Sequence, residues 1–222
     1  MAIAYVSSSG NTTGSSAASS VTVTAPASIA TGNLLIAVCF ANDDSTSAIF
    51  SAPTGWAPAG VPSTGTPSGD TFITDMAVFT KFATASEPTN YTFAFTNSTN
   101  LIVGILQYSG VPSSAPLYGS AYTPFYQVTS ATAPVLTSWT SGEFLICAWQ
   151  NFGATISTNP TGMTQRLAVG VNGYQNLVLY DLSVNSGLTP LETASFSTSC
   201  TGSAISLLIT PTIVDSTIVT VI

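Results

Sequence analysis

The segments TGNLLIAVCF at Thr31–Phe40 and SGEFLICAWQ at Ser141–Gln150 constrain this chain more than any other feature. Each places a Gly-containing opener before a short run that is apolar at consecutive positions, and such a run reads as a strand covered on both faces. Three more block pairs follow in the same order. MAVFTKF at Met76–Phe82 matches NLVLYDL at Asn176–Leu182, YTFAF at Tyr91–Phe95 matches ETASF at Glu192–Phe196, and IVGILQY at Ile102–Tyr108 matches SAISLLI at Ser203–Ile209. The matches stay about 100 to 110 positions apart. Order kept over four blocks predicts a duplicated unit, with one pseudo-repeat over about 1–112 and the next over about 113–211. The tripeptide Pro-Thr-Gly recurs on the same spacing, in SAPTGW at Ser51–Trp56 and TNPTGM at Thr158–Met163. Proline presets one turn dihedral and glycine takes the sterically open one. Each tripeptide is therefore expected to be the turn after the first long strand of its half, with Trp56 or Met163 closing the core.

The rest of the chain is patterned for strands. Val, Ile, Thr, Tyr and Phe come in short runs punctuated by Gly, Pro, Asn and Ser, and no segment carries a 3.6-residue apolar stripe over three turns. YTFAFT at Tyr91–Thr96 alternates, with Tyr91, Phe93 and Phe95 on one face. NLLIAVCFA at Asn33–Ala41 and LIVGIL at Leu101–Leu106 read as central strands. Short strands with Gly/Pro turns point to an antiparallel sandwich or barrel. The join between the halves, YSGVPSSAPLYGS, is short and turn-like, which predicts one continuous unit over 1–222 rather than two separate domains.

Composition then removes whole classes of function. Only 5% of the 222 residues are charged, against about 25% in ordinary domains, while 45% are hydrophobic. Disorder does not fit that balance. Ser and Thr make up more than a quarter of the chain, so the polar surface is built of hydroxyls and amides and suits a protein held in an assembly. Lys81 and Arg166 are the only cations, the net charge is −7, and histidine is absent. Two cations cannot form a patch for phosphates, so no nucleic-acid partner is expected. No apolar run approaches about 18 residues, so no membrane partner is expected either. The start MAIAYVSSSG lacks a basic segment and a long apolar stretch, which predicts folding in the cytoplasm where the chain is made.

Without histidine there is no Ser-His-Asp or Cys-His arrangement and no His/Cys metal set. The nine acids are scattered and form no glycosidase-like pair. The reading is therefore a non-enzyme with no cofactor and no metal. Asp43-Asp44 is read as a solvated turn rather than a calcium site. Three cysteines, an odd number, exclude a complete disulfide framework, and Cys39, Cys147 and Cys200 are read as free structural thiols. The sequons at Asn11, Asn90 and Asn97 are of a kind that a Ser/Thr-rich chain contains by chance.

Taken together, GNLLIAVCF, APTGW, AVFTKFATASEPTNYTFAF, LQYSGVP, GEFLICAW and PTGM resemble a β-sandwich module of tailed-bacteriophage virion proteins, and also modules of some bacterial surface proteins. The likeness runs through nearly all of Val21–Pro211, and its motifs are structural. The resemblance implies an all-β, antiparallel β-sandwich of jelly-roll type, used in decoration, tail or adhesion roles, and no active site. Met163 stands where the pattern expects Trp, and the chain continues past the second half as a strand or arm over 212–222.

Two functions follow as expectations. The first is a structural virion protein that decorates and cements a capsid, displayed on the virion surface, contacting other virion subunits and itself as a homo-oligomer. The second is a tail or surface adhesin that binds a host glycan or receptor. A cement protein should leave apolar surface bare at its termini and edges; an adhesin should have an exposed aromatic cleft. TIVDSTIVTVI supplies a terminal strand with no polar face, and Ile213, Val214, Ile218, Val219, Val221 and Ile222 are the candidate partner interface. The N-terminal AIAYV makes a similar, shorter claim. Trp56, Trp139 and Trp149 could stack on sugars, but Trp56 and Trp149 are read as sandwich core. Tyr118, Tyr122 and Tyr126, in the connection between halves, are the candidate glycan contacts. Lys81 and Asp181, at equivalent places in the two repeats, are a candidate pair across the join.

Overall fold

β-Branched and aromatic residues in short runs favour the pleated, half-covered environment of a sheet. The computed structural model, which describes residues 2–43, 49–59, 63–65, 73–113, 117–138, 141–171 and 174–211, is all-β, with no helix among those residues. The first half contains β1 (Ala4–Thr12), β2 (Ala18–Thr24), β3 (Leu34–Asp43), β4 (Phe50–Ser51), β5 (Ala57–Pro58), β6 (Ser63–Gly65), β7 (Ile73–Phe82) and β8 (Asn90–Ser109). The second contains β9 (Leu117–Thr132), β10 (Thr137–Ser138), β11 (Glu143–Phe152), β12 (Ile156–Thr158), β13 (Thr164–Gly170), β14 (Gln175–Val184), β15 (Gly187–Leu188) and β16 (Thr193–Ile209).

One sheet has the order β1-β8-β3-β7-β5, with β6 also on β7. The long strand β8 carries two sets of partners. Its first part pairs with β2 and β4, and its second part with β1 and β3. The other sheet has the order β12-β16-β11-β14-β13, and here β9 runs along both parts of β16, from Thr132 opposite Thr193 to Leu117 opposite Ile209. All these pairings are antiparallel, and β10 and β15 form a small separate ribbon.

The two sheets pack face to face through one apolar layer. It joins Ile36, Val38, Phe40, Ile102 and Leu106 of the first half to Ile146, Ala148, Leu177, Leu179, Ile205 and Leu207 of the second. A second layer lies on the far face of the first sheet, where Leu35, Ala37, Cys39, Val103 and Ile105 meet Trp56, Tyr91, Phe93 and Phe95. A third lies on the far face of the second sheet, where Leu145, Cys147, Trp149, Tyr180 and Leu208 meet Phe125, Ala131 and Phe196. This layering explains why β3 and β11 are apolar at successive positions: each is central in its sheet and covered on both sides. It also explains the strict alternation of Tyr91, Phe93 and Phe95, all buried, with Thr92, Ala94 and Thr96, all exposed, because the first part of β8 has only one covered face.

Because the middle layer draws on both halves, unfolding is expected as one cooperative transition. A single calorimetric peak, with the calorimetric and van't Hoff enthalpies equal, is the expected scan. Two separated peaks would contradict it.

Three expectations need correction. AIAYV does not offer a free strand: Tyr5 lies opposite Tyr108 in β1, and Ile3 is buried in the middle layer. Each Pro-Thr-Gly follows a short strand, β4 or β12, rather than the long strand before it. The glycine reading stands, with φ of 88° at Gly55 and 81° at Gly162. Lastly, Lys81 and Asp181 do not meet. Val38 lies opposite Val78 and Gly104, and Ala148 opposite Leu179 and Ile205. With the two openers aligned, Val78 falls with Leu179 and Lys81 with Leu182. A one-residue slip in a strand exchanges its faces. Lys81 pairs instead with Glu87, Nζ to Oε2 at 2.6 Å. Burial raises the Glu87 carboxyl, but hydrogen bonds from Lys81, Thr84 and Tyr91 outweigh it and bring it down to about 2.

Candidate functional site

The aromatic residues divide by the face of the strand they occupy. Trp149 is fully buried, donates Nε1–H to the Ala131 carbonyl at 3.0 Å and meets Tyr180 edge-on at 5.7 Å. Trp56 is buried edge-on against Tyr91 and Phe93, at 5.1 and 5.4 Å. Both are core, as the sequence predicts; Trp139 lies outside the described residues. LYGSAYTPFYQ is not a connection but part of β9, paired along β16. Tyr122 on this strand packs against the middle layer, and its hydroxyl lies 2.6 Å from Thr74 Oγ1 and 3.1 Å from Ser203 Oγ. It is half-buried, with its hydroxyl bonded within the join between the halves rather than left free. The backbone of Tyr118 lies in β9; its side chain is outside the description.

Tyr126 behaves differently. It lines a cleft of about 500 Å³ together with Asn42 from the end of β3, Phe152 from the end of β11, Gln127 from β9, and Ser199, Cys200 and Thr201 from β16. Asn42 belongs to the first half and the other six to the second, so the cleft exists only where the halves meet. The backbone beneath it is irregular. β16 slips register against β9 on both sides of Cys200, and Gln127 has φ of 48°. That region rarely suits a side-chain-bearing residue other than Asn, Asp or His. The conformation is held by the Gln127 N–H, which donates to Thr201 Oγ1 at 3.3 Å, and by its Nε2, which donates to the Tyr126 hydroxyl at 3.0 Å.

The interface between halves is polar at both ends. Beside the cleft, Thr74 Oγ1 lies 2.8 Å from Ser203 Oγ, and Gln175 Nε2 donates to the Asn100 carbonyl at 2.8 Å. At the opposite end the Tyr108 hydroxyl donates to Asp181 Oδ2 at 2.8 Å and Arg166 Nε donates to Oδ1 at 2.8 Å. The Arg166 guanidinium also lies over the Tyr5 ring, 4.3 Å from its centroid. Burial raises the Asp181 carboxyl, although Tyr108 and Arg166 act to lower it. Burial likewise pushes the Tyr108 hydroxyl well up, and Asp181 adds to that. Asp181 thus reaches across the join, through Tyr108 rather than Lys81.

Sequence reading missed Asn42, Gln127, Phe152, Tyr108 and Arg166 as members of these clusters. One signal was present: Asn42 and Phe152 both lie just beyond the apolar runs of two matching blocks, in FAND and WQNF.

The thiols are held inside. All three thiols are free and buried, and burial pushes Cys147 and Cys200 each up to about 12. Among the described residues no three Cys, Asp or Glu side chains are grouped to hold a metal ion, and Asp44 lies outside them. The candidate interface residues Ile213, Val214, Ile218, Val219, Val221 and Ile222 also lie outside the described residues. No family model, curated protein or solved structure matches the chain.

Proposed function

We propose that this chain is a non-enzymatic structural protein of a bacteriophage virion, displayed on the head, where it decorates and cements the capsid through protein–protein contacts. Its two halves are read as a duplicated jelly roll. The strand order supports this reading. In the first half the strands run β1-β8-β3-β7, with β2 and β4 on the first part of β8; in the second they run β9-β16-β11-β14, with β12 on the first part of β16. In both, the first part of the chain lies as a ribbon along the last, which supports a jelly-roll winding, an architecture common in capsid and lectin domains.

The observation that carries the functional reading is an apolar edge. Leu188 and Leu191 are 77% and 74% exposed, and Val135 is 37% exposed. They sit on two adjacent segments, joined where Thr189 N–H donates to the Leu136 carbonyl and Ala133 N–H to the Glu192 carbonyl, each at 2.8 Å. The corresponding end of the first half carries the Lys81–Glu87 ion pair instead. Bare leucines on a surface of hydroxyls and amides suit contact with another subunit. The arm over 212–222 is proposed to serve the same contact.

The test is addition of purified protein to particles that lack it. Saturable binding and a higher temperature of particle disruption are expected. Leu188→Ser with Leu191→Ser should weaken binding at least tenfold, on the order of 1.4 kcal/mol. The melting temperature of the free protein should not fall, because these side chains are already in water. Wild-type protein that fails to bind would overturn the proposal.

A further inference from the structure

The geometry points to the cleft between the halves as a binding site for a neutral oligosaccharide, wherever on a particle the chain resides. Among the described residues that line it none is formally charged: Asn42, Gln127, Ser199 and Thr201 supply amides and hydroxyls, and Tyr126 and Phe152 supply half-buried rings. An acidic ligand would find no cation here, because Lys81 and Arg166 pair with Glu87 and Asp181 elsewhere, and a chain of net charge −7 disfavours an acidic sugar further. A sugar has what this lining matches. The C–H faces of its ring need flat apolar partners, and its hydroxyls need groups that both donate and accept. A volume of about 500 Å³ lies within the range of small-ligand sites.

The local backbone is built to hold these groups in place. The register slips flanking Cys200 re-aim the β16 side chains, as bulges beside binding sites do. Gln127 keeps an unfavourable φ of 48° while its amide fixes the Tyr126 hydroxyl at 3.0 Å. Backbone strain of this kind persists only where the surroundings over-determine it. Fixing Tyr126 in advance lowers the ordering cost of binding.

The experiment is a screen of the full chain against an array of neutral, sialylated and sulfated oligosaccharides, followed by titration calorimetry with the best neutral sugar. Signals on neutral sugars are expected. Tyr126→Ala should weaken binding about tenfold or more with an unchanged melting temperature. Asn42→Ala reads the opposite wall independently, should Tyr126→Ala fail to fold. Absence of any neutral-sugar signal would overturn the inference. So would binding confined to acidic sugars, or neutral-sugar binding that both substitutions leave unaltered.

Discussion

Arg166→Ala is expected to destabilise the protein by about 3 kcal/mol at neutral pH, the low end of what removing one partner of a buried pair costs. For a chain of this size that is a fall in melting temperature of roughly 6 to 12 °C. Asp181 is 2% exposed and Arg166 24% exposed, so the carboxylate that remains after truncation has little access to water. Tyr108 still donates one hydrogen bond, but the full charge on Asp181 loses its counter-ion. Arg166 also gives up its place over the Tyr5 ring. The pH dependence has a definite sign. Burial holds the folded Asp181 above its ordinary value of 3.8, so the native state takes up a proton more readily than the unfolded chain. The associated stability is present in full below that value and is lost as pH rises through the folded value. The penalty of Arg166→Ala should therefore shrink in acid, where Asp181 is protonated, and reach its full size near neutrality. Adding Asp181→Asn removes the stranded charge, so the double variant should recover most of the loss. Denaturant titrations of the four proteins in the cycle measure all of this. A double variant no more stable than Arg166→Ala would show that the charge was not the cause.

Gly104→Val should cost about 1 to 3 kcal/mol by overpacking and should act on the joint between the halves rather than on either sheet alone. A Cβ at this position would lie 2.6 Å from Leu167 Cδ2 and 2.6 Å from Leu179 Cδ1. Both atoms are ends of flexible side chains from the other half, so a single methyl is absorbed by rotamer change, whereas two further methyls have nowhere to go. On the facing sheet Ala148 lies opposite Ile205, as Val38 lies opposite Gly104 on this one. Bulk on one side is thus met by its absence on the other. Shortening Leu167 to Ala in the Gly104→Val background should restore part of the stability, since it reopens the space. Thermal melts of the three variants test this; additive losses would rule out the complementary packing.

These two sites show what the sequence made legible. Alternation at Tyr91, Phe93 and Phe95 and the two-sided runs of β3 and β11 are direct consequences of one or two covered faces, so strand type and centrality could be read from residue order. The register of β7 and β14 could not. MAVFTKF and NLVLYDL are apolar at both parities, and nothing local penalises a one-residue slip, so Asp181 was matched to Lys81 when the paired strands place Leu182 there. LYGSAYTPFYQ reads as a connection because it is rich in small residues and contains Pro124, yet it forms part of β9. Proline is tolerated there because β9 is an edge strand, paired among the described residues only with β16. The cleft was least legible. Tyr126 was singled out, but its companions come from strand ends far apart in the chain, and Tyr122, four residues earlier, has its hydroxyl tied to Thr74 and Ser203.

The proposed role on the capsid is tested most directly by electron cryo-microscopy of intact particles, with the protein quantified in the same preparation. The account predicts many copies per particle at a fixed position on the shell, with density for two stacked sheets and the Val135, Leu188 and Leu191 edge turned toward another subunit. Purified particles devoid of the chain, or a few copies confined to a tail tip with that edge facing solvent, would contradict it.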